Sequence, residues 1–91
     1  MENILTIVTQ ELNVLLAKMK LEFDTLVAFY RLDTNAIKLL NKAHINWEHF
    51  VEAELKVTEH KWAGDSAQIL YVNARHQELI IAYIQELKKK M

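Results

Sequence analysis

The side chains of this chain whose types and spacing could do chemistry are four histidines and a set of glutamates. His44 and Glu48 are four residues apart and His49 and Glu52 three apart, so each pair shares a face if the segment is helical. A carboxylate-bridged metal pair inside a helical bundle needs glutamates together with Glu-x-x-His turns from separate helices. The residues three before His44, His49, His60 and His76 are Asn41, Asn46, Val57 and Asn73, so no such turn occurs, and His-Glu-x-x-His is absent as well. With no cysteine there is no thiolate ligand and no thiol nucleophile. Ser66, the one serine, stands just after the one glycine and reads as a helix cap. The expectation is therefore a chain without metal, without cofactor and without catalytic residues, its histidines serving as surface or interface polar groups.

The elements that position these groups are helices. From residue 2 to about residue 31 the apolar side chains Leu5, Val8, Leu12, Leu15, Met19, Phe23, Leu26 and Tyr30 recur in steps of three and four, the period of a helix. Ile4, Ile7, Val14, Leu16, Leu21, Val27 and Phe29 widen the stripe beyond a two-position seam, so this helix is expected to touch neighbours on more than one side. Leu32-Asp33-Thr34-Asn35 predicts a break, with Asp33 or Thr34 as the cap of the second helix. Length supports the break, because three helices of matched size can cover one another, whereas an unbroken helix of twice the length would leave much of its stripe in water.

The second helix carries Ile37, Leu40, Ala43, Trp47, Val51 and Leu55 on one face and Lys38, Lys42, Glu48, Glu52, Lys56 and Glu59 on another. Asn46, a weak helix former, marks a place where it could kink. Trp62-Ala63-Gly64-Asp65-Ser66 holds the only glycine of a chain that has no proline. Gly64 suits the left-handed position that ends a helix, and Asp65 or Ser66 supplies a cap for the next. The last helix shows Ala67, Leu70, Ala74, Ile80, Ile81, Ile84 and Leu87, and closes on Lys88, Lys89 and Lys90 at the negative end of its dipole. The predicted fold is all-α, an antiparallel three-helix bundle with helices over about residues 2–31, 34–62 and 66–90, forming a single domain over residues 1–91.

Composition excludes several functions. Lys plus Arg is 11 against Asp plus Glu 12, and only Arg31 and Arg75 are arginines, which leaves no basic field for nucleic acid. The absence of cysteine rules out a scaffold held by disulfides. No run of about 18 apolar residues is present, so no membrane span is expected. The opening Met1-Glu2-Asn3-Ile4-Leu5 is acidic, unlike a signal peptide, and a cytoplasmic location is expected.

Two local resemblances concern the central turn. Gly64-Asp65-Ser66 is similar to the Gly-x-Asp-Ser turn on which carrier proteins bear a phosphopantetheine arm, although the spacer residue is missing and one uninterrupted helix comes after it. Trp62-x-Gly64 resembles the turn of the Trp-x-Gly family of helical hairpins exported by type VII secretion. That resemblance implies an exported, usually dimeric protein. The motif here lies at residue 62 of 91, and Tyr83 is followed four residues later by Leu87 in place of the acidic residue of the export signal.

With 52% hydrophobic residues in 91, the helices carry more apolar surface than one seam can hide. A protein partner or a second copy of the chain, as in a homodimer, is expected to cover the remainder. Tyr30, Trp47, Trp62 and Tyr83 are the expected contact residues, because tyrosine and tryptophan are frequent interface anchors. The function expected is a non-enzymatic protein–protein interaction module: an adaptor, an assembly or secretion chaperone, or an inhibitor of phage or immunity type.

Overall fold

A computed structural model describes residues 3–91 and contains three α-helices, α1 over Ile4–Phe29, α2 over Thr34–Lys61 and α3 over Gln68–Lys88. Each boundary has a local cause. The Asn3 side chain accepts a hydrogen bond from the Thr6 N–H at 2.9 Å and caps α1. Asp33 does the same for α2, its carboxylate accepting from the Ala36 N–H at 3.0 Å, so the break needs no glycine. Glu2, where the first helix was expected to begin, lies outside the described residues. α2 runs through Asn46 unbroken.

Gly64 sits at φ 84°, the left-handed region where a Cβ is disfavoured, and it is the only described residue with positive φ. The start of α3 differs from the expected one. Asp65 accepts from the Ala67 N–H at 2.7 Å and thereby shapes the turn, α3 starts at Gln68, and its N-cap position, Ala67, offers no side-chain acceptor. Ser66 makes no hydrogen bond within the described residues and lies exposed.

The chain runs up, down and up. Gln77 Nε2 donates to the Val8 carbonyl at 3.2 Å and the Tyr30 hydroxyl donates to the Lys90 carbonyl at 2.7 Å, so α1 and α3 run parallel. Arg75 pairs with Glu54, and Tyr83 stacks on Trp47, so α2 runs antiparallel to α3. α3 packs along both neighbours, while the backbones of α1 and α2 scarcely approach each other. Such an arrangement demands two buried sides on α3 and one each on α1 and α2. Accordingly α3 supplies Leu79, Ile80 and Leu87 to the core, against Leu26 from α1 and Val51 from α2.

The molecule measures 49 × 30 × 15 Å, with a Cα radius of gyration of 15.4 Å. A compact chain of this length would have a radius near about 12 Å. The accessible surface, 6554 Å², exceeds by about 1,000 Å² the value typical of a monomer of this mass. The fold is thus an open bundle with more surface than its mass requires.

Two substitutions test this packing. Ile80→Ala, at a fully buried site on α3, should cost about 2–5 kcal/mol in chemical denaturation. Gly64→Ala has room for the methyl group but must hold a positive φ, and should cost about 1 kcal/mol. A melting temperature unchanged by the second substitution would contradict the left-handed assignment.

Candidate functional site

Among the described residues no group of three or more His, Asp or Glu side chains is arranged to hold a metal ion. No helix among them is long and apolar enough to cross a membrane. The polar side chains that do converge lie where α2 meets α3. His44 Nδ1 and the Tyr83 hydroxyl are 2.7 Å apart, and His44 Nε2 lies 3.6 Å from Glu48 Oε1, one turn along the same helix. The Tyr83 O–H can donate to Nδ1, whereas the 3.6 Å gap between Nε2 and Glu48 is an electrostatic contact too long for a hydrogen bond. Around this line the Phe23 ring lies 4.5 Å from the His44 ring, and Trp47 stacks on Tyr83 at 4.0 Å. The Phe23–His44 contact joins side chains of α1 and α2.

A carboxylate, an imidazole and a phenol in series resemble a relay that could activate the phenol. The physics here runs the other way. Burial, with the Glu48 charge adding to it, pushes the Tyr83 phenol up to about 12, so it gives up its proton less readily than free tyrosine. The His44–Tyr83 hydrogen bond therefore acts as a clamp between α2 and α3.

Further along the same interface Arg75 donates to Glu54 at 3.1 Å and to Glu78 at 3.2 Å. The hydrogen bond to Glu54 is the main cause that raises the guanidinium above its ordinary range. At the far end Trp62 stacks on Tyr71 at 3.8 Å, Lys61 Nζ lies 5.4 Å from the Trp62 ring, and Gln68 Nε2 donates to the Glu59 carbonyl at 2.7 Å. Trp62 is thus held in place across the turn that Gly64 permits.

The four expected contact aromatics are all half-buried. The structure brings Trp47 and Tyr83 together as a stacked pair. Tyr30 and Trp62 stand at opposite ends of α2, each at the edge of a depression. One depression, of about 500 Å³, is lined by Tyr30, Ala36, Leu39, Leu40, Ala43 and Lys90. The other, of about 350 Å³, includes Val57, Thr58, Lys61, Trp62 and Tyr71 in its lining. A third hollow, also about 350 Å³, lies between α1 and α2, where Leu16, Met19, Trp47 and Leu55 face His76. Burial holds His76 below its ordinary value, favouring the neutral ring.

The sequence pattern missed two features of this region. Asn73 is buried, accepting from Gln77 Nε2 at 2.8 Å, and a polar residue inside the helical period carries no periodic signal. Second, Ala43, assigned to the inner stripe, is exposed, and His44 takes the inner position instead. The neighbouring flank of α2 is also exposed: Leu39, Ala43, Asn46, Phe50, Ala53 and Val57 all face solvent. Their steps of four and three repeat the spacing of the inner seam, displaced by one residue, or roughly 100° around the helix. That second seam could have been found by looking for two parallel stripes in α2. No protein-family model, no curated protein and no solved structure matches this chain.

Of the three perturbed groups, His76 and Tyr83 titrate in the range where stability can be followed, and Arg75 stays protonated throughout it. Below about pH 6.5 the unfolded chain takes up a proton at His76 more readily than the folded one, so this stabilisation is present above the ordinary histidine value and is lost as pH falls through the depressed one. Tyr83 behaves oppositely. Its contribution is present below the ordinary tyrosine value and is lost as pH rises toward about 12. Unfolding midpoints measured across pH should fall at both ends. In Tyr83→Phe the tyrosine-dependent part of the alkaline decline should disappear, and an unchanged alkaline decline would contradict the assignment.

Proposed function

We propose that this chain is a non-enzymatic protein–protein interaction module that covers a partner, or a second copy of itself, with an apolar helical face. The observation that carries the reading is the distribution of large apolar side chains. Five hydrophobic residues are buried among those described, while fifteen large ones are exposed, including Leu39 at 68% and Val57 at 64%. Scattered exposed leucines are ordinary, but Leu39, Phe50 and Val57 share one exposed, uncharged stripe of α2 with Ala43 and Ala53 between them, the kind of surface that binding covers. The extra area of about 1,000 Å² is of the same order as the roughly 800 Å² that one side of a standard interface buries.

Adaptor, chaperone and inhibitor roles are all compatible with such a face, and the reading places the protein inside the cell. The second reading, an exported protein like the Trp-x-Gly hairpins, draws on one observation: Trp62 and Gly64 form the turn between antiparallel helices, with Gly64 at positive φ. Cell fractionation separates the two readings, because recovery of the protein in the medium would favour export.

Tyr30 and Trp62 border the depressions at either end of the exposed flank and remain the contact aromatics to test first. Affinity capture from the native host should bring down one protein in stoichiometric amount. Tyr30→Ala and Trp62→Ala should each reduce that capture about tenfold or more, corresponding to about 1.4 kcal/mol of binding free energy. Capture of nothing specific, together with a stable monomer in sedimentation equilibrium at high micromolar concentration, would overturn the proposal.

A further inference from the structure

An interaction module needs a binding face and an occupant for it. Each helix has an outer surface, and the three surfaces are not equivalent. On α1 the exposed stripe Ile7, Gln10, Val14, Ala17 and Leu21 is uncharged, but Glu11 and Lys18 border it with charges of both signs, and among the described residues no depression adjoins both of its ends. The outward surface of α3 mixes Ile81 with Glu78 and Glu86, which pair with Arg75 and Lys89. On α2 an exposed stripe free of charge runs from Leu39 through Ala43, Asn46, Phe50 and Ala53 to Val57, and the charges next to it on its solvent side, Lys42 and Lys56, are of one sign.

This stripe spans about 27 Å at 1.5 Å per residue. Its steps of four and three match the heptad period by which two helices pair side by side. Ala43 and Ala53 flank the middle of the seam and allow close approach of another backbone, while Phe50 stands out at 49% exposure as the bulky contact near the centre. At each end the seam opens into a depression, one beside Leu39 and the other beside Val57. Large side chains of an occupant helix can enter there.

Charge identifies the occupant. Lys42, His49 and Lys56 succeed one another at seven-residue intervals along the solvent edge of the seam, with one acid, Glu52, a turn before Lys56 on the side away from the seam. Lys61 and Lys90 line the two end depressions, and the two acids beside Lys61, Glu54 and Glu78, are both paired with Arg75. Lys42, Lys61 and Lys90 form no ion pair among the described residues, and Lys56 forms only an exposed one with Glu52 at 3.6 Å. The opposite edge of the seam, Leu40, Trp47 and Glu54, is turned toward α3, and its single acid, Glu54, is already held by Arg75. A second copy therefore fits poorly. An antiparallel pair of α2 helices places Lys42 of one copy against Lys56 of the other, and a parallel pair finds no free acid to meet the basic edge.

We propose that this flank of α2 is the docking seam for one amphipathic helix of a partner protein, whose apolar stripe is bordered by acidic residues. The proposal rests on the interaction-module reading and assigns it a face and a partner chemistry. The partner helix lies along Ala43, Asn46, Phe50 and Ala53, anchors large apolar side chains in the two end depressions, and sets its carboxylates against Lys42, Lys56 and the two terminal lysines. Binding of this kind is steered by charge, and it weakens as salt rises.

The test uses the full chain and two synthetic helical peptides of about five turns, identical in their apolar seam, one bordered by Glu and the other by Lys. Fluorescence anisotropy should show the Glu peptide binding at least about tenfold tighter than its Lys twin, with the preference shrinking as salt is raised. The double variant Lys42→Glu/Lys56→Glu should invert the preference. Phe50→Glu, at an exposed site, should lose about tenfold or more in affinity for the Glu peptide while keeping helix content and melting temperature. Equal binding of the two peptides, or an unchanged preference in the double variant, would overturn the proposal. So would self-association in sedimentation that Phe50→Glu abolishes, because a second copy would then be the occupant. Capture of a cellular partner by Phe50→Glu at wild-type yield would overturn this face while leaving the interaction-module reading standing.

Discussion

The burial of α3 between two helices that scarcely touch each other is the constraint on which the rest of this structure depends. A helix shared in this way must be apolar on two sides, and α3 meets the demand with Leu79, Ile80 and Leu87 in the core and Asn73 held by Gln77. Its partners need only one inner seam each. The consequence is an open bundle, where the stabilising contacts of α1 and α2 both run through one central element and not around a closed ring. Stability in so small a domain is thin, so the polar ties across these interfaces carry weight: Gln77 to the Val8 carbonyl, Tyr30 to the Lys90 carbonyl, and Arg75 to Glu54.

The same constraint explains why apolar surface remains outside. α1 and α2 each carry more apolar residues than one seam against α3 can absorb, and because they do not pack on one another along their length, the remainder has nowhere to go. On α1 that remainder is bordered by charges of both signs, Glu11 and Lys18. On α2 it is ordered at the heptad period, with a basic row on its solvent edge. The His44–Tyr83 clamp in the first half of α2 and the Trp62–Tyr71 stack just past its C-terminal end fix it on α3, so the flank is presented by a rigid scaffold.

Much of the fold was legible in the residues. The steps of three and four place all three helices, Asp33 caps α2 as its short acidic side chain implies, and Gly64 takes the left-handed position that the only glycine of a proline-free chain suggests. What escaped has physical reasons. The start of α3 shifted to Gln68 because Asp65 satisfies the Ala67 N–H within the turn and does not cap the helix itself. Ala43 and His44 exchanged roles because alanine is indifferent to burial, whereas the His44 ring found partners in Phe23, Trp47 and Tyr83. Asn73 and Gln77 were invisible to a hydrophobic pattern, since their burial depends on each other. The candidate surface was legible only in part: the excess of apolar residues predicted that some face stays open, but choosing the flank of α2 required knowing which side of that helix α3 occupies.

The central claim is that the exposed flank of α2 is covered when the protein works. The most direct measurement is residue-resolved covalent footprinting of Leu39, Phe50 and Val57, comparing the purified chain with the same chain in its native cells at natural abundance. The account predicts strong labelling of all three in the purified protein and marked protection in the cell, with Ile7 and Val14 on α1 labelled alike in both. Equal labelling of the α2 flank in the two settings would contradict it.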